Sequence, residues 1–150
     1  MESLVSENKY EAIRELIHRA AVFSQAQDRE KIEEAVIDRE RVYSTGLGRG
    51  VAIAHGATPA VKETVIALGI SRKGIDFNSI DRSPVHLLFV IAHPPDKQVE
   101  YLAALATVTR LMRDESFRQS IFTSGSGREV EAVICKAFHT CLEKYHKNAV

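Results

Sequence analysis

The sequence is short of several features that mark particular classes of protein. It has no tryptophan and only two cysteines, and its 20 basic and 20 acidic residues cancel to a formal net charge of zero at pH 7. Such a chain has no overall field that favours nucleic acid or an anionic membrane surface. No apolar run approaches the roughly 20 residues that span a bilayer. The N-terminus also lacks the basic and apolar regions of a signal peptide. We therefore expect a cytoplasmic protein that neither inserts into membranes nor binds nucleic acid.

The two cysteines, Cys135 and Cys141, fall in one C-terminal helical pattern. Their spacing along a helix rotates the side chains roughly 120° apart and separates them by about 9 Å along the axis. A disulfide cannot bridge that distance, so we predict two reduced thiols in a reducing compartment. Neither cysteine has a neighbour that would activate it, and the sequence does not predict a catalytic thiol.

Helical and strand patterns alternate along the chain. Residues 8–24 carry an apolar helical stripe with Ser6 as the expected N-cap, and Asp28 is expected to cap a second helix that ends near residues 39–42. Apolar runs at residues 51–54, 63–71 and 85–92 predict strands. The last run is apolar almost throughout, which is typical of a strand covered on both faces.

Three further helices are predicted after that strand: residues 95–113, a short helix after Asp114 that buries Phe117 and Ile121, and a helix opened by a capping box at Ser126 and running to about Lys144. We found no repeat and no linker in this order of elements. The sequence therefore predicts one α/β domain over residues 1–150, a three-layer sandwich in which a mixed sheet of about five strands is flanked by helices.

Residues 39–59 hold the features most typical of a functional site. Glycine occupies alternate positions of residues 46–50, which predicts a flexible loop before the short strand at 51–54. His55 then lies where that strand is expected to stop, next to Gly56. An imidazole exposed at a strand end suits a reactive role. The alternative is that His55 is one of six histidines and merely ends a strand.

Nucleotide and metal sites are not predicted. The glycine spacing fits neither common phosphate-binding loop, and the segment leads into a strand, whereas those loops open a helix. His86 and His93 project to opposite faces of a strand, and His139 and His146 lie about 10.5 Å apart along a helix. Neither pair suits one ion. No arrangement of serine, histidine and aspartate supports nucleophilic catalysis. We expect no metal and no cofactor.

The chemistry that remains for His55 is phosphoryl transfer. A neutral imidazole nitrogen can attack phosphorus and hold the phosphoryl group as phosphohistidine. The equatorial oxygens then need a cation or backbone N–H groups. Arg39, Arg49, Thr45 and the amides of the glycine segment are the candidates that the sequence offers.

The sequence here resembles a known family. Arg39-Glu40, followed by Thr-Gly-Leu-Gly-Arg-Gly-Val-Ala-Ile-Ala-His-Gly at residues 45–56, is similar to the active-site signature of enzyme IIA of the phosphoenolpyruvate phosphotransferase system. The branch is the fructose/mannitol type, which includes the nitrogen-regulatory IIA proteins. Residues 74–77, 84–92 and 95–106 match the family's path through its central strand into a helix. The resemblance spans nearly the whole chain and implies a single type-2 EIIA domain.

The resemblance implies a role for individual residues. His55 matches the phosphorylated histidine, Arg39 the arginine beside it, and Thr45 a loop threonine that binds phosphate. The implied activity is that of a phosphotransferase component. His55 would accept a phosphoryl group from HPr, the family's phosphocarrier protein, or from a homologue of it. It would then pass the group to a IIB domain or keep it as a regulatory mark.

Two positions depart from the family pattern. Ala54 stands where the family usually has proline, and Tyr101 stands where it has a second active-site histidine. Tyrosine donates a hydrogen bond, but with a pKa near 10 it cannot supply a switchable positive charge near neutral pH. His93 is close in sequence but is not the matching position. The alternative function is therefore a non-catalytic regulatory binding module with the IIA fold.

No transmembrane or IIB segment accompanies the domain in this sequence. We accordingly expect a nitrogen-regulatory role, with a stand-alone sugar IIA as the alternative, and we do not expect direct sugar transport.

Overall fold

The computed structural model describes residues 1–26, 28–123 and 127–147, and for Tyr145 and His146 it describes the backbone alone. The chain forms two compact units, Met1–Lys97 and Gln98–Val150. The single domain over residues 1–150 stays a prediction. Among the helices of the described residues, none is long and apolar enough to cross a membrane.

The first unit is built on a mixed sheet of five strands. The strands are β1 (Glu2–Leu4), β2 (Gly46–Gly48), β3 (Val51–Ala57), β4 (Val65–Ile75) and β5 (Val85–His93). Their order across the sheet is β1-β4-β5-β3-β2. The pairs β1–β4 and β3–β5 are parallel, whereas β2–β3 and β4–β5 are antiparallel. The predicted α/β class with a mixed five-stranded sheet is confirmed.

Two helices, α1 (Lys9–Arg19) and α2 (Arg29–Val42), belong to the same unit, with a 3-10 turn at Ala21–Phe23 between them. Asp28 caps α2 as predicted, because its carboxylate accepts a hydrogen bond from the Lys31 N–H at 3.2 Å. The N-cap of α1 is Asn8, and the prediction of Ser6 is wrong. The Ser6 hydroxyl donates instead to Glu15 at 2.6 Å, which ties the entry of the chain to α1.

The core of this unit lies between the two helices and one face of the sheet. Inward-facing residues of β3 and β5 form one buried cluster with apolar residues of both helices; they include Ala52, Ala54, Val90, Ala92, Ile13, Ile17 and Val36. The alternate residues Leu87, Phe89 and Ile91 of β5 are also buried, which confirms that both faces of this strand are covered. Burial of each of these three large side chains contributes roughly 1.5–3 kcal/mol to folding.

Two strands are longer than predicted. β3 continues to Ala57 because Gly56 and Ala57 pair with Ala92 and His93 of β5. β4 continues to Ile75 through a segment that the sequence predicted as a turn. A register shift in its pairing with β5, and a φ of 92° at Gly74, let the strand bend without ending.

The second unit is helical: α3 (Gln98–Leu111), α4 (Glu115–Thr123) and α5 (Gly127–Lys147). Ile121 is buried as predicted, whereas Phe117 is only half-buried. Cys135 and Cys141 are free thiols, as predicted. The predicted capping residue Ser126 lies outside the described residues.

Candidate active site

His55 lies on β3, two positions before the strand ends, and its side chain is half-buried. The strand was expected to stop at His55, and this is wrong, because pairing of β3 with β5 continues through Gly56 and Ala57. The imidazole is half-buried where the sequence predicts exposure. Side chains alternate along a strand, so His55 projects from the sheet face opposite to Ala54 and Gly56. Gly56 faces α2, where an added Cβ would lie 2.7 Å from the backbone of Ala35.

One hydrogen bond determines which ring nitrogen of His55 can react. Nδ1 lies 3.0 Å from the carbonyl oxygen of Ile53. A carbonyl oxygen only accepts, so Nδ1 carries the proton and donates it. In the neutral ring the lone pair is then on Nε2. Nε2 is the nucleophile that this geometry presents.

The surroundings favour the neutral form of that ring. Burial lowers the pKa of His55 below its ordinary value of 6.5, and the nearby charges of Arg39 and His93 lower it further. The hydrogen bond to Ile53 and the charge of Glu40 act in the opposite direction, but the net pKa is lowered. At pH 7 the imidazole is therefore mostly neutral, which is the form that can attack phosphorus.

Arg39 lies in the last turn of α2. One of its guanidinium nitrogens donates to the carbonyl oxygen of Tyr43 at 3.2 Å. Its charge lowers the pKa of His55. A guanidinium can bond two oxygens of a phosphoryl group and neutralise its charge. The predicted contact of Arg39 with a phosphoryl group on His55 stays a prediction.

Thr45 is buried and its polar groups are engaged by Glu40. Its hydroxyl donates to Glu40 Oε2 at 2.5 Å, and its N–H lies 3.0 Å from the same oxygen. The Lys9 ammonium binds the other oxygen, Oε1, at 3.1 Å. The Thr45 hydroxyl is thus directed to Glu40, and its predicted role as a phosphate ligand has no support in this geometry. Thr45 is linked to the site differently: its carbonyl oxygen accepts the Ile53 N–H at 3.2 Å.

The glycine segment is not a flexible loop beside His55. Gly46–Gly48 is strand β2, and a tight turn follows in which Gly48, Arg49 and Gly50 all have positive φ, at 83°, 56° and 75°. Antiparallel pairing with β3 puts this turn at the start of β3. His55 lies about 13 Å further along the strand. The suggestion that Arg49 and the glycine amides bind a phosphoryl group on His55 is therefore wrong.

His93 is a site residue that sequence reasoning set aside. It pairs with Ala57, and since Ala57 and His55 share a face of β3, His93 projects from the same sheet face as His55. The imidazole of His93 is buried, and its Nδ1 donates to the Pro94 carbonyl at 2.8 Å. Only the parallel pairing of β3 with β5 could have revealed this proximity.

Glu40 and Lys9 were also missed as members of the site. One sequence feature could have indicated Glu40, which directly follows Arg39 in the family signature. No sequence feature indicated Lys9, because it comes from α1, far earlier in the chain.

Tyr101 belongs to the second unit. It lies in the first turns of α3, on the predicted helix, and it is 8% exposed. Its role in the site stays a prediction. Within the part of the chain that the structure describes, no group of three or more histidine, cysteine, aspartate or glutamate side chains could hold a metal ion.

Comparison with solved structures gives the same fold. IIA-Ntr, the nitrogen regulatory protein from Neisseria meningitidis, superposes with a TM-score of 0.79 at 29% identity, over 89% of this chain and 90% of that one. The mannitol IIA from Escherichia coli superposes with a TM-score of 0.70 at 24% identity, over 88% and 92% of the two chains, and this likeness supports the fold alone.

Sequence relatives agree with the structural ones. The nitrogen regulatory protein of Bradyrhizobium diazoefficiens is 31% identical over 127 residues, which cover 85% of this chain and 82% of that protein. The fructose-specific EIIABC component of Bacillus subtilis is 33% identical over 83% of this chain, but the chain spans only 20% of that larger protein. The family model described as "Phosphoenolpyruvate-dependent sugar phosphotransferase system, EIIA 2" matches residues 3–137. The chain therefore belongs to this EIIA family of phosphotransfer domains, as the signature around His55 predicted.

Proposed function

We propose that the protein is a phosphocarrier that accepts a phosphoryl group on Nε2 of His55. The observation that carries this proposal is the bond from His55 Nδ1 to the Ile53 carbonyl, which leaves the lone pair of the neutral ring on Nε2. In the reaction, Nε2 forms a bond to phosphorus while the bond from phosphorus to the donor's nitrogen breaks. The proton on Nδ1 stays in place throughout.

Arg39 is proposed to balance the charge of the transferring group. The dianionic phosphoryl group would lie beside a ring that carries positive charge once it is phosphorylated, and the guanidinium adds a second cation at the end of α2. Arginine's planar fork suits two phosphoryl oxygens. Arg39 also lowers the pKa of His55, which keeps the acceptor neutral before transfer.

The proposed donor is HPr or a homologous phosphocarrier protein, and the proposed acceptor is a IIB domain or a regulated target protein. A relative in fold, the mannitol IIA of Escherichia coli, has a solved complex with phosphorylated IIB, which supports the second of these partners. The nitrogen regulatory relatives support a regulatory use of the phosphoryl group. The family model spans both compact units, so we treat residues 1–150 as one functional domain that acts in the cytoplasm.

Tyr101 is proposed to take the place of the family's second active-site histidine. Its hydroxyl would donate a hydrogen bond to the imidazole or to a phosphoryl oxygen without adding positive charge. Transfer would then be slower than in a site with two histidines. The same substitution favours the second candidate function, a regulatory module with the IIA fold that binds its target without turnover.

Incubation with phosphoenolpyruvate, enzyme I and HPr, followed by intact-mass measurement, tests the proposal. We expect one phosphoryl group per chain in the wild type and none in His55→Gln. Acid-labile, base-stable phosphate would identify phosphohistidine. An unmodified wild-type chain, with a known IIA protein phosphorylated in the same mixture, would reject phosphotransfer and favour the binding module.

A further inference from the structure

A continuous set of hydrogen bonds joins Lys9 to the imidazole of His55. Lys9 Nζ binds Glu40 Oε1 at 3.1 Å, and Glu40 Oε2 accepts the Thr45 hydroxyl at 2.5 Å. The Thr45 carbonyl accepts the Ile53 N–H at 3.2 Å, and the Ile53 carbonyl accepts His55 Nδ1–H at 3.0 Å. We call these five residues the Glu40 network. It connects α1, α2 and the start of β2 to the candidate nucleophile.

The pairing of Thr45 with Ile53 is only half of what an antiparallel ladder would form. Because Gly46 is the partner of Ala52, the next pair along the two strands is Thr45 with Ile53. In a hydrogen-bonded antiparallel pair, each residue gives its N–H to the other's carbonyl. Ile53 gives its N–H to Thr45, but the Thr45 N–H goes to the Glu40 carboxylate, at 3.0 and 3.3 Å from its two oxygens.

This diversion leaves the Ile53 carbonyl with one fewer backbone donor. In a complete ladder the Thr45 N–H would share this oxygen with His55 Nδ1–H and weaken its hold on the imidazole. Glu40 is only 1% exposed, and it is held by Thr45 and by the Lys9 ammonium, so its carboxylate is fixed where it takes the Thr45 N–H. The Thr45 N–H therefore does not reach the Ile53 carbonyl, and that carbonyl binds the imidazole.

We propose that Glu40 is a positioning residue: by taking the Thr45 N–H, it leaves the Ile53 carbonyl to hold His55 in the tautomer whose lone pair lies on Nε2. Thr45 acts in the same way, through its carbonyl and N–H, and not by binding phosphate. This inference rests on the proposed function, because it concerns the nitrogen that accepts the phosphoryl group. The tautomer can nevertheless be measured in the unphosphorylated protein.

The main test is the double variant Lys9→Met/Glu40→Leu. Removing both members of the buried pair avoids leaving one charge without its partner. Nitrogen-15 NMR of the His55 ring, at a pH well above the ordinary histidine pKa of about 6.5, reports which nitrogen carries the proton. We expect the Nδ1–H pattern of the wild type to be lost, and single-turnover transfer from phosphorylated HPr to slow about tenfold.

Two further variants separate positioning from general destabilisation. Glu40→Asp keeps the charge but withdraws the carboxylate by one methylene, about 1.5 Å, so the Nδ1–H population should fall. This single variant keeps the proposal testable if the double variant does not fold. Ile13→Val weakens the same core and changes none of the five network residues, so it should keep both the tautomer and the rate.

The outcomes are distinct. The proposal is overturned if both Glu40 variants keep the Nδ1–H pattern and the wild-type rate. It is also overturned if Ile13→Val loses the Nδ1–H pattern and the wild-type rate. A wild type that shows the Nδ1–H pattern but accepts no phosphoryl group would refute the proposed function while leaving the role of Glu40 in the tautomer intact.

Discussion

Gly56→Ala is the substitution for which the structure predicts the sharpest effect on both stability and transfer. The added Cβ would lie 2.7, 2.8 and 2.9 Å from backbone atoms of Ala35 and Val36 in α2. Side-chain rotation cannot relieve contacts with backbone atoms. Gly56 itself has ordinary strand geometry, without positive φ, so the whole cost comes from this contact.

The magnitude follows from how far α2 must move. An ordinary contact begins at 3.4 Å, so the helix must withdraw by about 0.7 Å from β3. Overpacking of this kind costs about 1–3 kcal/mol. Alanine recovers roughly 0.5–1 kcal/mol of that cost, because glycine is unfavourable within a strand. The net loss is then about 0–2.5 kcal/mol, and a value near the middle, about 1 kcal/mol, lowers the Tm of a chain of this size by roughly 2–4 °C.

The same displacement reaches the candidate active site, because α2 carries Arg39 and Glu40. A shift approaching 1 Å in a catalytic arrangement can cost about a hundredfold in rate. We expect transfer from phosphorylated HPr to the variant to slow by roughly ten- to a hundredfold. Thermal unfolding followed by circular dichroism and single-turnover transfer, measured on the same preparation, test both parts.

Gly50→Ala is the matched control, at the other end of β3. The atom nearest to its added Cβ is 3.6 Å away, but its φ of +75° strains an alanine by about 1–2 kcal/mol. It should lose a similar amount of stability and keep the wild-type transfer rate. The reasoning fails if Gly56→Ala matches the wild type in both measurements, or if Gly50→Ala slows transfer as much.

The remaining predictions concern the three residues proposed to take part in transfer. Arg39→Lys keeps the charge but loses the planar fork, so single-turnover transfer should slow about tenfold with the Tm unchanged; an unaltered rate would remove the proposed contact with the phosphoryl group. The lowered pKa of His55 contributes stability that is complete above pH 6.5, the ordinary value, and is lost as the pH falls from there toward the lowered value. The Tm of the wild type should therefore fall relative to that of His55→Gln as the pH is lowered from 8 to 5, and a relative rise would contradict the assigned direction. Tyr101→His should speed transfer by roughly ten- to a hundredfold, because it restores a charge-assisted hydrogen bond. Absence of His55 phosphorylation in both Tyr101→His and the wild type would favour the binding module.

The elements with strong local patterns were predictable from the sequence. Asp28 at the start of α2 and the apolar run of β5 determine those elements through neighbouring residues alone, and the structure agrees with both predictions. The end of β3 was not predictable in this way. Its apolar run stops at Ala54, but its pairing continues because Gly56 and Ala57 meet β5, which comes much later in the chain.

The site was predictable only as far as its motif. His55 and Arg39 follow from the signature, and their roles in transfer stay proposals. Two other expectations meet a different geometry. Alternating glycines predict a flexible loop, whereas positive φ at Gly48 and Gly50 makes a tight turn at the start of β3. The Thr45 hydroxyl, which the resemblance assigns to phosphate, is directed to a buried carboxylate on the preceding helix.

The close approach of α2 to β3 accounts for two residues of the signature, Gly56 and Glu40. Gly56 lets the helix backbone lie against the strand, since any side chain there would meet Ala35. Glu40 can then reach the Thr45 N–H, so this N–H does not bond the Ile53 carbonyl. Arg39 is the adjacent residue on the same helix turn, and its charge lowers the pKa of the imidazole. Glycine after the histidine and glutamate after the arginine therefore serve one requirement: a helix end held close enough to a strand to orient a single ring.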